Sequence, residues 1–136
     1  MRVRSAFLVI VCALAVSACG GDSPTEPAAC TNLGGPWRVL FRSSCGTQWS
    51  ESLVIRQSGC SFEGAGTLIP ISFAGEISGD DVAIRITFAG ACPATANGTG
   101  RIRLDSVEGA FEATAAGGSG CCGPSFTGNF SFLPPN

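Results

Sequence analysis

The chain contains no histidine and no tyrosine, and all eight of its basic residues are arginine, so lysine is missing too. These absences remove the usual general bases and most of the groups that activate a nucleophile. They also remove the commonest transition-metal ligand, and there is no C-x-x-C pair to build a thiolate metal site or a thioredoxin-like dithiol. Helical periodicity is absent throughout, and no apolar run approaches the roughly 20 residues of a membrane-spanning helix. Basic clusters of the kind that meet nucleic acid or anionic headgroups are lacking as well. The expectation is therefore a non-enzymatic protein with no metal, no cofactor and no nucleic-acid partner.

What is present begins with Arg2 and Arg4, followed by an apolar or small run from Ser5 to Ala18. A positive n-region before an h-region of this length reads as a signal peptide over residues 1–18. Without it, six arginines face ten acids, a net charge of −4. Val16-Ser17-Ala18-Cys19 resembles the bacterial lipobox: an aliphatic residue, two small residues, then cysteine. That resemblance implies a diacylglycerol on the Cys19 thiol and, after cleavage, an acylated amine. Together the chains are enough for stable anchoring in a membrane. The alternative is a plain secreted protein with a chance cysteine at the cleavage site. Gly20 rather than Asp follows the cysteine, which by the enteric sorting pattern favours the outer membrane of the cell envelope, on its periplasmic or surface face. Residues 19–34 read as a lipidated flexible tether, its Gly20–Ala29 part reaching roughly 15–20 Å as a coil.

From Gly35 to Asn136 the pattern is one of strands. Apolar and polar residues alternate around Trp37–Phe41, Leu53–Gln57, Phe62–Gly66, Ile71–Ile77, Val82–Phe88, Gly100–Leu104, Val107–Ala113 and Phe126–Phe132. Tight-turn residues at Ser58-Gly59, Ser78–Asp81 and Asp105-Ser106 alternate with longer connections at 43–50, 67–70, 89–98 and 115–124. This predicts an all-β domain over 35–136, an eight-stranded antiparallel up-and-down barrel, with a two-sheet β-sandwich as the alternative. Gly35-Pro36-Trp37 at the start of the first strand resembles the Gly-x-Trp that opens calycin barrels, the lipocalin and avidin groups. The resemblance implies that Trp37 plugs the closed end. No basic residue follows the last strand to stack on it, and the aromatic and polar residues of a biotin site are missing.

Six cysteines remain once Cys12 and Cys19 are set aside, an even number that reads as a disulfide framework tying the barrel. In a meander, successive connections fall at opposite ends. Cys30 and Cys60 then lie at the Trp37 end, and Cys45, Cys92, Cys121 and Cys122 at the other. A strand of eight residues separates the ends by roughly 27 Å, whereas bonded cysteines need Cα atoms within roughly 7 Å. The pairs expected are Cys30–Cys60, Cys45–Cys122 and Cys92–Cys121, the last two exchangeable in their use of Cys121 and Cys122.

The remaining polar residues offer little chemistry. Asp80-Asp81 sits in a turn, where aspartate is favoured for backbone reasons. Glu76, Glu108, Glu112, Arg85, Arg101 and Arg103 fall on outward positions, with Arg101 expected opposite Glu112. The inward positions, from Val39 and Phe41 through Ile102 and Leu104 to Phe132, are bulky enough to fill a small barrel. Gly64, Gly66, Gly75, Gly100, Gly109 and Gly128 leave room for a small apolar pocket instead. Trp49, Glu51 and Gln57 are the candidate rim contacts. Two functions stay open: a lipid-anchored envelope lipoprotein binding a small apolar ligand in a lipocalin-like mouth, or a protein-binding module such as an inhibitor or assembly factor.

Overall fold

The pleat of an extended chain sends successive Cβ atoms to opposite faces, so each alternating segment can bury one face only as a strand. The computed structural model describes residues 29–116 and 122–136. Its strands are β1 (Gly35–Ser43), β2 (Gln48–Ser58), β3 (Ser61–Ala65), β4 (Ile71–Ser78), β5 (Asp81–Phe88), β6 (Ala94–Ile102), β7 (Val107–Ala115) and β8 (Ser125–Leu133). Each pairs antiparallel with the next, and β1 also pairs with β8, closing the sheet into a barrel. Closure sets the sandwich aside and gives both terminal strands a partner. The segment 1–18, the lipobox Val16–Cys19, the tether to residue 28 and Cys121 lie outside the described residues.

The turns at 59–60 and 79–80 need left-handed backbone, which Gly59 (φ 60°) and Gly79 (φ 61°) adopt without a Cβ penalty. Elsewhere the register corrects the expectation. β6 begins at Ala94 and ends at Ile102, so the connection expected over 89–98 is only 89–93, and Asn97 lies within a strand. Ala94-Thr95-Ala96-Asn97 carries little of the branched and aromatic bulk that marks strands, yet Ala94 and Ala96 are buried. β2 likewise begins at Gln48, shortening the connection expected over 43–50 to 44–47. Leu104, expected inward, stands in the β6–β7 turn and is fully exposed; the Arg103 amide closes that turn on the Ser106 carbonyl at 2.7 Å. Arg101 consequently pairs with Glu108 on β7 and Asp81 on β5, while Glu112 faces Asn97.

Phe41, Phe62, Phe73, Phe88, Phe111, Phe130 and Phe132 are all buried. They form one connected cluster with ring centroids 5.1–6.5 Å apart, in the tilted, edge-on and offset geometries that aromatic pairs favour. The strand glycines are part of the same device. Gly64 faces Phe73, Gly75 faces Phe62, Gly109 faces Phe130 and Gly128 faces Phe111, each across one strand pair. A Cβ at any of these glycines would overlap the ring that covers it. The space they leave is thus occupied by phenyl rings, and the middle of the barrel is filled.

Candidate functional site

The filled middle leaves the two ends to be compared. At the N-terminal end the segment before β1 is folded onto the barrel. Leu33, expected in the tether, is a core residue at 1% exposure. Gln57 holds it there: its side-chain oxygen accepts from the Leu33 amide at 2.5 Å, and its Nε2 donates to the Thr31 and Gly59 carbonyls at 3.0 and 2.9 Å. Trp37 is partly buried against the core and donates its indole N–H to the Leu33 carbonyl at 2.7 Å. The Cys30–Cys60 disulfide, with Cα atoms 5.2 Å apart, fastens the same segment to the β2–β3 turn. Trp37 closes this end together with Leu33, a residue that the single apolar side chain in a polar, glycine-flanked stretch did not announce.

The opposite end is a mouth. A cavity of about 370 Å³ opens there between the connections 44–47, 66–70, 89–93 and the chain on either side of the β7–β8 connection. Trp49, Phe88 and Phe126 supply its aromatic surface, with ring centroids 5.1 Å (Trp49 to Phe88) and 6.0 Å (Phe88 to Phe126) apart. Small side chains, among them Ala91, Ala94 and Ala115, and the rings of Pro70 and Pro93 complete the wall. No charged side chain lines it. Cys122, at its edge, is bonded to Cys45 with Cα atoms 5.6 Å apart, tying the β1–β2 turn to the β7–β8 connection. Cys92 also lines the mouth and is disulfide-bonded; its expected partner, Cys121, lies outside the described residues.

Glu51 works one layer behind this wall. β2 and β3 pair only from Arg56–Glu63 to Ser58–Ser61, and beyond that point the loop 66–70 fills the widening seam. Glu51 is buried at 6% exposure. One carboxylate oxygen accepts from the Thr67 amide (2.7 Å), the Thr67 hydroxyl (2.6 Å) and the Leu68 amide (3.0 Å), and the other from the Ile69 amide (3.1 Å). Burial pushes its carboxyl upward, but the Thr67 hydroxyl and the three backbone amides together outweigh it and bring the pKa down to about 2. The absence of a side chain at Gly66 makes this possible, since a Cβ there would stand 2.6 Å from a Glu51 oxygen. The loop so held reaches the mouth directly, because the Pro70 carbonyl accepts from the Ala89 amide at 2.7 Å.

Of the three expected rim residues, Trp49 alone lines the mouth; Glu51 braces its wall, and Gln57 belongs to the other end. Residues such as Ala94, Ala115 and Pro70 were not singled out by sequence, although Ala94 and Ala115 lie in two long stretches without any charge, 86–100 and 113–136. Arg101 Nε meets Asp81 Oδ1 at 3.2 Å with both side chains about 70% exposed, and among the described residues no cluster of acids and cysteines could hold a metal ion. No protein-family model matches this chain, and neither does any curated protein or solved structure.

Proposed function

We propose that the protein is a non-enzymatic lipoprotein of the bacterial cell envelope, anchored through Cys19, whose barrel receives a small apolar ligand at its mouth. The observation that carries the ligand reading is the uncharged cavity of about 370 Å³, a volume within the usual range of small-molecule sites. Its position supports a division of labour. The chain reaches the barrel at Cys30, at the end away from the mouth, so a lipid on Cys19 would hold the closed end towards the membrane and leave the mouth facing outward. The lipobox Val16–Cys19 and the residues before it support the anchor, and Gly20 supports the outer membrane. The missing histidine, lysine and tyrosine favour binding over catalysis.

A second reading, a module that docks a protein, is favoured by Leu68. Its side chain is 86% exposed while its backbone amide is fixed by Glu51, the combination of apolar reach and rigidity that suits an interface anchor. Native mass spectrometry of protein extracted from membranes with mild detergent tests both. Extra mass of a bound small molecule, lost on harsher activation, supports the ligand reading; co-extracted polypeptide supports the docking one. Anchoring is tested by Cys19→Ala, which should move the protein from the membrane to the soluble fraction.

A further inference from the structure

Resting on the ligand reading, we infer that the mouth cavity selects an uncharged molecule built on a flat ring system, with about a dozen non-hydrogen atoms. Three observations converge. The first is size: about 370 Å³, divided by the roughly 30 Å³ that one water occupies in the liquid, is room for about a dozen heavy atoms. That suits a compact molecule and is short for an acyl chain with its headgroup.

The second is charge. A bound carboxylate or phosphate would need a cationic partner or several donors once removed from water. The wall offers neither lysine, arginine nor histidine. The backbone amides of Thr67, Leu68 and Ile69, in the loop behind the wall, are already taken by the Glu51 carboxylate. No charge occurs in residues 86–100 or after Glu112, the two stretches that supply most of the wall. An amine is equally disfavoured, because Glu51 is turned into its own loop.

The third is shape. Trp49, Phe88 and Phe126 present three rings at 37° and 54° to one another across successive contacts. Around them stand alanines and prolines rather than long flexible side chains. Aromatic surface rewards another ring with offset or edge contacts beyond its buried area, and small rigid walls lose little side-chain entropy when the guest arrives.

Trp49 itself is the reporter. In full-length protein carrying Trp37→Phe, Trp49 is the one remaining tryptophan, and its emission is followed during titration with indole-free probes: naphthalene, dodecanol and laurate. The expected result is saturable binding of naphthalene in the micromolar range, with dodecanol and laurate at least ten-fold weaker. Ala115→Leu, which fills the cavity from β7, should weaken naphthalene at least ten-fold while leaving the melting temperature within a few degrees. Should that variant fail to fold, Ala91→Leu on the exposed loop serves the same purpose. Tighter binding of dodecanol or laurate than of naphthalene overturns the ring selectivity but leaves a small apolar ligand standing. Saturation by none of the three overturns both.

Discussion

At one end of the barrel the connections are the short turns 59–60, 79–80 and 103–106, and residues 30–34 are stitched across the opening by Gln57, Trp37 and the Cys30–Cys60 bond. At the other end the connections 66–70, 89–93 and 116–124 are longer, no segment among the described residues crosses the opening, and a cavity remains there. The same strands run through both ends, so the difference lies in what the connections do with their hydrogen bonds. A short polar side chain satisfies the backbone in each case. Gln57 draws the segment of Thr31 and Leu33 inward over the core; Glu51 holds loop 66–70 aside, as a wall. One end is sealed by a buried leucine, whereas the other is kept open by a buried carboxylate.

The largest expected effect comes from cutting each end's disulfide. Chain-entropy scaling assigns about 4–5 kcal/mol to the Cys45–Cys122 bond, with 77 residues of separation, and about 3–4 kcal/mol to Cys30–Cys60, with 30. Calorimetry should show a lowered melting temperature for both double serine variants. Only Cys45→Ser with Cys122→Ser should also weaken probe binding at the mouth. Equal loss of binding from Cys30→Ser with Cys60→Ser would mean that the two ends are not independent.

Replacing the two bracing side chains comes next. Glu51→Ala strips three backbone amides and a hydroxyl of their acceptor in a buried place, a loss of about 3–4 kcal/mol in denaturant unfolding. Gln57→Ala acts at a more exposed site and should cost about 1–2 kcal/mol. Acid separates them further. Glu51 has a folded pKa of about 2 against an ordinary value of 4.5, so the folded protein binds fewer protons than the unfolded chain in that interval. Its contribution, up to ~3 kcal/mol, is complete above pH 4.5 and is lost as pH falls towards 2. In Glu51→Gln that part of the acid dependence should flatten; in Gln57→Ala it should persist.

How much of this was legible depends on what kind of signal each feature leaves. Val82–Phe88 alternates without a break, and its strand is where the pattern puts it. The barrel order, and the sorting of Cys30 with Cys60 and of Cys45 with Cys122, followed from the same alternation because a meander sends alternate connections to alternate ends. β6 was misplaced because Ala94 and Ala96 bury too little area to stand out from a loop, and Ile102-Arg103-Leu104 imitates a strand that has already ended. Leu33 is one apolar residue with no neighbour to set a period. The mouth was harder still: its walls are alanine and proline, and what makes them a site is the coincidence of four connections that only the closed barrel brings together. Glu51 was legible as an acid near a rim, but its role depends on three amides sixteen to eighteen residues away.

The smallest expected effect is at Leu104, and it tests the sealed end from outside. The apolar pattern would bury this side chain beside Ile102, in which case Leu104→Ser would cost the 2–5 kcal/mol of a core truncation. The structure puts it wholly in solvent, on a turn closed by backbone hydrogen bonding between Arg103 and Ser106. The substitution should therefore change the unfolding free energy by no more than about 0.5 kcal/mol, comparable with removal of the exposed Arg101–Asp81 pair nearby. A loss above 2 kcal/mol would mean that β6 continues past Ile102 and that the turn region packs into the closed end. The contrast between a stitched end and an open one would then need a different boundary.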